Sequence, residues 1–284
     1  MINVVDLRFT YPKGSQETLK GISFQFGKGE VFGFLGPSGA GKSTTQKILY
    51  KLLDGYSGQV LVHGKPLKQM GSDYFQRIGV GFELPNHYPK LTARENLQLF
   101  GQFYDRKQLL DPNVLLEKVG LLQDADKRVE EYSKGMKMRL NFVRAIQHNP
   151  DILFFDEPTS GMDPGNAALI KELILEQKQQ GKAIFITTHN MFAADQLCDQ
   201  VAFMLDGAIL AMDSPRNFKQ QHGSDRVELE LQDGAVRPTF PLQGIGQNAA
   251  FLSLIAETQI KAIHTQEATL EEVFLKLTGN RLSQ

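Results

Sequence analysis

The sequence contains a single cysteine, Cys198, among its 284 residues. A chain with one cysteine cannot form an internal disulfide framework or a CxxC metal site, and it fits a reducing compartment. Its neighbours Gln196, Leu197 and Asp199 include no base that would activate the thiol. Cys198 is therefore predicted to be a small packed side chain.

An excess of charge of one sign is also missing. The 31 Lys and Arg residues are balanced by 32 Asp and Glu residues, which leaves a net charge of -1. Overall electrostatics thus give no reason to expect a nucleic-acid partner or a charged membrane surface, although a localised patch is compatible with these totals.

Targeting segments and long apolar runs are absent as well. The first residues, MINVVDLRFTYP, lack the basic-then-apolar pattern of a signal peptide. No apolar run approaches the roughly 20 residues that span a bilayer. The sequence predicts a cytoplasmic protein that is soluble by itself.

Three short apolar runs, each followed by a helical pattern, predict an α/β fold. They are Val31 to Leu35, Ile152 to Phe155 and Ala183 to Ile186. Such runs are typical of strands buried on both faces of a parallel sheet covered by helices. INVVDLRFT and the pair around Gly27 to Gly29 predict antiparallel strands at the edge of this sheet. The stretch VAFMLDGAILAM predicts a hairpin turned at its Asp-Gly pair.

The pattern also predicts subdivisions of the chain. A mostly helical insertion is expected from about residue 84 to 147. The main domain is predicted to span residues 1–221, and residues 222–284 are predicted to form a small α+β appendage. In that appendage RVELELQDG and IKAIHT are candidate strands, and a helix is expected from the capping box at Thr269 and Glu272 to a stop at Gly279.

The stretch GPSGAGKST fits the pattern G-x-x-x-x-G-K-[ST] and lies between a predicted buried strand and a helical pattern. In this pattern glycines let backbone amides curl round phosphates, the lysine reaches the terminal phosphates, and the serine hydroxyl ligates magnesium. The full string in this context predicts a P-loop. Its predicted binding residues are Gly36, Pro37, Ser38, Gly39, Ala40, Gly41, Lys42, Ser43 and Thr44.

Two adjacent acids, Asp156 and Glu157, follow the second apolar run. The carboxyl end of a buried strand faces the crevice where ligands bind in such sheets, so Asp156 is predicted to hold the magnesium shell. Glu157 can then orient or deprotonate the attacking water. The alternative is a coincidental solvated pair, which the four apolar residues before them disfavour. His189, after the third run, is predicted to contact the terminal phosphate or the water.

A glycine in the first turn of a predicted helix needs its own explanation. In YSKGMKMRLNFVRAI, Ser133 is a good N-cap, whereas Gly135 costs about 1 kcal/mol relative to alanine. The pattern places Met136, Leu140 and Val143 on one face and a polar stripe opposite, as in an amphipathic surface helix. The stripe consists of Lys137, Asn141, Arg144 and His148. Gly135 suggests the close approach of an anion to the start of this helix.

Together, in this order, these motifs resemble the nucleotide-binding subunit of ATP-binding cassette (ABC) transporters over about residues 1 to 215. GPSGAGKST resembles the Walker A loop, ILFFDE the Walker B strand with its catalytic glutamate, and TTH the switch histidine. The resemblance implies a P-loop NTPase core that hydrolyses ATP with Mg²⁺. It implies catalytic roles for Glu157, His189 and Lys42, with Ser43 and Asp156 as metal ligands.

Further residues of the nucleotide site come from the same resemblance. Tyr11, in FTYP, resembles the aromatic residue that stacks on adenine, and its alternative is packing into the core. SGMD, which ends at Asp163, resembles the D-loop. YSKGMKMR resembles the LSGGQ signature: it keeps Ser133 and Gly135, but Lys134 and Met136 replace the usual Gly and Gln. Lys134 can add charge near a phosphate or can simply be solvated.

The resemblance implies a head-to-tail homodimer on ATP binding, because in the family the signature helix faces ATP on the other subunit. The position of the usual Q-loop glutamine is Glu83. A carboxylate ligates magnesium as an amide oxygen does, so Glu83 is a candidate metal ligand, although the amide donor is lost.

A separate integral membrane permease is the expected partner, and no nucleic acid is expected. The tail TLEEVFLKLTG and the SKGMK form resemble bacterial drug and antibiotic exporters, which places the chain at the inner face of the membrane. The alternative is a soluble ABC-type clamp acting on ribosomes or DNA. The single P-loop and the lack of a heptad insertion or basic arm disfavour it. A module that binds ATP without hydrolysis is disfavoured by Glu157 and His189.

Overall fold

The computed structural model describes residues 1–12, 14–223, 226–232, 237–265 and 268–279. The chain divides into two compact units, Met1–Asp213 and Ser214–Gln284. Every helix in the described ranges is too short or too polar to cross a membrane.

The first unit contains ten strands. They are β1 (Ile2–Phe9), β2 (Leu19–Phe26), β3 (Val31–Leu35), β4 (Ser57–Val62), β5 (Lys65–Pro66), β6 (Ile78–Gly81), β7 (Ile152–Asp156), β8 (Ala183–Thr188), β9 (Gln200–Leu205) and β10 (Ala208–Asp213). Its helices are α1 (Lys42–Leu49), α2 (Ala93–Gly101), α3 (Pro112–Lys118), α4 (Lys134–Ile146), α5 (Pro164–Gln179) and α6 (Met191–Leu197). The predicted α/β class is confirmed.

A six-stranded sheet in the order β10-β9-β3-β8-β7-β6 carries the functional loops. The three predicted buried strands are its β3, β7 and β8, and they pair in parallel. β10 turns back antiparallel on β9 through Asp206 and Gly207, whose φ values of 47° and 81° suit a tight hairpin. The sequence analysis missed β6. A side chain at Gly79 would collide with the carbonyl of Ala145, so this glycine lets α4 approach the sheet closely.

The sequence predicted antiparallel strands at the edge of this sheet, and this prediction is wrong. These strands form a separate four-stranded sheet in the order β2-β1-β4-β5. Its inner face packs on the parallel sheet through phenylalanine rings: Phe24 and Phe26 lie 5.4 and 5.9 Å from Phe32 between ring centroids. Each fully buried ring of this kind contributes roughly 1.5–3 kcal/mol of transfer free energy. Burial of both inner faces therefore stabilises two stacked sheets.

The insertion between β6 and β7 is mostly helical, as predicted, and contains α2, α3 and α4. The polar stripe of the α4 sequence is mostly buried, unlike the polar face of the amphipathic surface helix that its periodicity predicted. Asn141, Arg144 and His148 are 3%, 8% and 1% exposed. Asn141 Nδ2 donates to the Phe82 carbonyl at 2.8 Å, and Arg144 lies over the Phe100 ring at 4.7 Å. Buried polar groups with such partners can face protein, which a helical periodicity alone cannot show.

The second unit is a small α+β fold. It contains α7 (Pro215–His222), β11 (Arg226–Leu231), β12 (Thr239–Pro241), α8 (Ala249–Glu257), β13 (Ile260–Thr265) and α9 (Leu270–Thr278). The strands form an antiparallel sheet in the order β12-β11-β13. The expected capping box is present, because Thr269 and Glu272 exchange hydrogen bonds at 3.2 and 2.9 Å. α9 ends at Gly279 in the left-handed region.

The boundary between the units lies after Asp213 rather than after residue 221. α7 packs against α9, and Lys276 Nζ donates to the His222 carbonyl at 2.6 Å. The sequence of α7 contains Phe218, which is 3% exposed. Because α7 shares its core with α9, the second unit begins at Ser214.

Candidate functional site

The P-loop follows β3 and turns directly into α1. Gly39 and Gly41 have φ values of 83° and 103°, which residues with a Cβ rarely adopt. Lys42 is the first residue of α1, and its Nζ donates to the carbonyls of Gly36 and Pro37 at 2.7 and 2.9 Å. The loop therefore curls round its own lysine, with the N-terminus of α1 beside it.

A cavity of about 440 Å³ opens at the carboxyl ends of the strands, above this loop. Its lining residues are Tyr11, Thr18, Ser38, Gly39, Gly41, Lys42, Ser43, Thr44, Glu83, Asp156, Glu157 and His189. Five separate stretches of predicted site residues thus meet in one pocket: the loop after β1, the P-loop, the loop after β6, the end of β7 and the end of β8. Only Thr18 among its lining residues was absent from the sequence predictions.

Oxygen ligands suited to a magnesium ion lie together in this cavity. Ser43 Oγ donates to Asp156 Oδ1 at 3.3 Å, and Thr187 Oγ1 donates to the same oxygen. A serine hydroxyl beside a carboxylate is the donor chemistry that Mg²⁺ prefers. Among the described residues, no group of three or more His, Cys, Asp or Glu side chains is placed to hold an ion jointly. The residues present fit a magnesium ion shared with a phosphate.

The charges of the site converge on Lys42, which is 8% exposed. Burial lowers the pKa of its ammonium from the ordinary value, because an apolar environment disfavours the charged form. The carboxylates of Glu157, Asp156 and Glu83 oppose this shift in that order. All three predicted acids therefore act electrostatically on the P-loop lysine.

Glu157 is held in an unusual conformation by the loop that follows β8. Its φ of 48° lies in the left-handed region, and it is 8% exposed. Glu157 Oε1 accepts from the backbone N–H of His189 at 2.9 Å and lies 2.6 Å from His189 Nδ1. Thr188 Oγ1 donates to Oε2 at 2.9 Å. A strained backbone with every carboxylate oxygen engaged marks a side chain fixed in place.

Tyr11 lies at the rim of the cavity and is 37% exposed, so it is not packed into the core. Its hydroxyl is 3.1 Å from Thr44 Oγ1, and its ring meets Phe9 edge-on at 4.9 Å between centroids. The open face of the ring is available to a flat ligand.

Ser133, Gly135 and Asp163 do not line this cavity. They form a second group, the helix-start cluster, where the N-termini of α4 and α5 meet. Ser133 Oγ accepts from Met136 N at 3.2 Å, which confirms the predicted N-cap. Asp163 caps α5 by accepting from Asn166 N at 3.0 Å, and this hydrogen bond is the main cause of its lowered pKa.

The helix-start cluster also gives Gly135 a neighbour within the chain. A Cβ at Gly135 would lie 3.3 Å from Asn166 Nδ2, tighter than ordinary contact. The Lys134 side chain lies along Gly161, where it leaves no room for a Cβ. Gly135 therefore lets the start of α4 lie close to Asn166 of α5, whereas Gly161 is favoured by its φ of 65°.

Two threonines at the end of β8 were missed as site residues. Thr187 bonds Asp156 and Thr188 bonds Glu157. The repeated threonine in ITTHN was visible in the sequence, but which hydroxyl meets which acid depends on the pairing of Asp156 with Thr187 between β7 and β8. The lone Cys198 is buried, and burial raises the pKa of its thiol, as expected for a packed residue.

Comparisons with known proteins agree with this geometry. The family model of the ABC transporter matches residues 19–160, and that of the fluoroquinolone efflux ABC transporter C-terminal domain matches residues 226–267. The fluoroquinolones export ATP-binding protein of Mycobacterium tuberculosis (strain ATCC 25618 / H37Rv) is 48% identical, over 100% of this chain and 95% of the relative. The linearmycin resistance ATP-binding protein of Bacillus subtilis (strain 168) is 30% identical, over 99% of each chain.

Solved structures show the same similarity. An ATP-binding subunit of an ABC transporter superposes with a TM-score of 0.74 at 25% identity, covering 98% of this chain and 99% of that one. A dimeric ATP-binding cassette bound to ADP and Pi has a TM-score of 0.67 at 26% identity, covering 75% of this chain and 98% of that one. With the P-loop, the paired acids and the histidine in one pocket, this chain belongs to the ABC transporter family, as an ATP-binding subunit that hydrolyses ATP.

Proposed function

We propose that this subunit powers the export of fluoroquinolone-like antibiotics through a separate membrane permease. The observation that carries the proposal is the cavity in which Lys42, Asp156, Glu157 and His189 meet. Two similarities support the proposed substrate class: the 48% identity to a protein named for fluoroquinolone export, and the match of residues 226–267 to the C-terminal domain family of fluoroquinolone efflux ABC transporters. The named relatives are export proteins, so they lend no support to a clamp acting on ribosomes or DNA.

Different residues of the cavity bind the base, the phosphates and the metal ion of the nucleotide. Tyr11 packs on the adenine ring, and the P-loop amides and Lys42 bind the phosphates. Ser43 and Asp156 hold Mg²⁺, with Glu83 as a further oxygen ligand from the loop after β6. The ion neutralises charge on the terminal phosphates when it is bound.

Glu157 acts as the base in this scheme. Water attacks the terminal phosphorus as the bond to the bridging oxygen of ADP breaks, and the water proton passes to Glu157. His189, whose ring touches Glu157 and whose side chain is 65% exposed, is positioned to contact the terminal phosphate. The buried carboxylate and the exposed imidazole thus have separate tasks.

The helix-start cluster serves a second copy of the chain. Ser133, Gly135 and Asp163 lie outside the cavity of their own subunit. Helix N-termini bind anions through free amides and the helix dipole. In a head-to-tail homodimer formed on ATP binding, the start of α4 meets the terminal phosphate held by the partner, and Lys134 adds positive charge there.

The permease partner docks beside the Glu83 loop. An apolar cavity of about 460 Å³ lies there, lined mainly by aromatic and aliphatic side chains. Its residues include Phe75, Phe82, Phe100, Tyr104 and Arg144. A short cytoplasmic helix with apolar side chains fits such a groove. This contact attaches the subunit to the inner face of the cell membrane.

Accumulation of a fluoroquinolone in cells tests the proposal. The wild-type chain, Glu157→Gln and Glu117→Gln are each expressed with the co-purifying membrane protein in a susceptible host. Glu117 is an exposed glutamate of α3, which makes it a matched control for the charge change. The wild type and Glu117→Gln should lower accumulation, whereas Glu157→Gln should not. Equal accumulation in all three strains, with ATPase activity intact in the first two, would exclude this substrate class.

A further inference from the structure

A hydroxyl at the end of β8 holds the carboxylate of Glu157. Thr188 is 3% exposed, and its Oγ1 lies 2.9 Å from Glu157 Oε2. A carboxylate can only accept hydrogen bonds, so the threonine must donate here. Thr188 is therefore a buried donor to one oxygen of the predicted base.

The direction of this donation is fixed by the backbone. Thr188 Oγ1 accepts a hydrogen bond from Asn190 N at 3.0 Å. This bond occupies a lone pair of the hydroxyl and leaves its proton for Glu157. Asn190 is itself held, because its Oδ1 accepts from Ala193 N at 2.9 Å as the N-cap of α6. The hydroxyl is thus set by two hydrogen bonds that run back to a helix start.

The two oxygens of Glu157 have partners of different mobility. Oε1 lies 2.6 Å from the ring of His189, whose side chain is 65% exposed, and it also accepts from the His189 backbone N–H, while Oε2 accepts from the buried Thr188. An exposed imidazole can turn away toward a ligand, but the buried hydroxyl has no comparable freedom. When the His189 ring turns, Oε1 keeps the backbone N–H of His189 as its partner and gains an open lone pair, while Oε2 keeps Thr188.

We infer that Thr188 is a positioning residue: with the His189 backbone N–H it fixes the Glu157 carboxylate, so that the lone pair of Oε1 released by the His189 ring accepts the water proton. The inference rests on the proposed role of Glu157 as the base. The backbone of Glu157 is strained, with a φ of 48°, and a strained conformation persists only when surrounding contacts hold it. The hydrogen bond from Thr188 is one of these contacts. Thr188 orients the carboxylate toward the attacking water and contributes nothing to the binding of ATP.

Thr188→Val tests this assignment, since valine keeps the shape of threonine and removes the hydroxyl. Thr188→Ser restores the hydroxyl without the methyl group. Thr278→Val is the matched control, because Thr278 is a buried threonine of α9 that donates to the Phe274 carbonyl. For each variant, kcat and KM for ATP are measured with purified protein, and folding is checked by thermal melting.

We expect Thr188→Val to lower kcat by about 10- to 100-fold with KM within about threefold of wild type, as for a misoriented catalytic group. Thr188→Ser should recover most of the rate, and Thr278→Val should retain it. An unchanged kcat in folded Thr188→Val would overturn the inference, as would a loss of ATP affinity that matches the loss of rate. If Thr188→Val does not fold, the same criteria apply to Thr188→Ala compared with Thr188→Ser.

A double variant separates this inference from the proposal beneath it. In Glu157→Gln, the further change Thr188→Val should not lower the residual rate, because the two residues act as one unit. If Glu157→Gln hydrolyses ATP at the wild-type rate, the proposed base is wrong. If Glu157→Gln is inactive and Thr188→Val is fully active, only the role of Thr188 fails.

Discussion

The nucleotide cavity and the helix-start cluster differ in how complete they are within one chain. In the cavity, Lys42 donates to a carbonyl of its own P-loop, and Ser43 donates to Asp156. Asp156 and Glu157 accept hydrogen bonds from the threonines of β8. The helix-start cluster has caps and close helix packing but lies outside that cavity. In the proposed head-to-tail dimer, the cavity binds the nucleotide and the cluster meets a ligand presented by another copy.

Glu157→Gln should produce the largest effect on the cavity. The amide cannot accept the water proton, so kcat should fall by about 10²- to 10⁴-fold while ATP still binds. With hydrolysis blocked, the ATP-bound dimer should persist. Light scattering at saturating ATP and Mg²⁺ measures it, with Glu117→Gln as the control. Only monomers of Glu157→Gln under these conditions would contradict the composite site.

Mixing two inactive variants tests whether the cavity and the cluster act across the dimer. Lys42→Ala should lose ATP binding, and Ser133→Arg should block the start of α4 while leaving its own cavity intact. A heterodimer of the two pairs one intact cavity with one intact cluster. ATPase activity should therefore partly reappear on mixing. No activity at any ratio, with heterodimers demonstrated, would mean that the cluster does not serve the partner's nucleotide.

Glu83→Gln should have a moderate effect, because the amide oxygen still reaches the metal. Loss of the carboxylate charge should weaken apparent Mg²⁺ affinity by about tenfold at most, or about 1 kcal/mol. Glu83→Ala should impair both metal use and stimulation by the membrane subunit. Magnesium titrations of the ATPase rate compare the three forms. Superimposable curves would place Glu83 outside the metal shell.

Asp163→Asn should have the smallest effect, and it isolates a stability contribution within the cluster. Hydrogen bonds from Asn166 lower the pKa of Asp163 below its ordinary value of 3.8. A carboxyl whose pKa is lower in the folded state than in the unfolded state stabilises the protein at pH values above its unfolded-state pKa. This contribution is lost as the pH falls through the folded-state pKa. The Tm difference between wild type and Asp163→Asn should thus be present at pH 6 and shrink progressively as the pH falls below 3.8. A difference that grows on acidification would refute the assignment.

Much of the cavity could be predicted because most of its functional residues lie in short continuous stretches of the sequence. Buried strands end at Leu35 and Asp156, and the functional residues follow directly in sequence. β6 was missed because glycines replace the apolar side chains that identify a strand. The contact of Thr188 with Glu157 was also missed, since it depends on the parallel pairing of β7 with β8. Sequence patterns locate groups on an element, whereas contacts between elements require the register.

The buried polar side of α4 has a mechanical consequence. A 13-residue helix is about 20 Å long and moves as a rod. Its first turn follows Ser133, which we propose meets a partner's phosphate, and near its other end Arg144 lines the apolar groove and lies over the Phe100 ring. Because Asn141 and Arg144 are bonded into the loop at Phe82 and Asn86, any tilt imposed at the groove must swing the phosphate-facing tip. The permease and the nucleotide would then contact opposite ends of the same helix, so that a movement at one end is transmitted to the other.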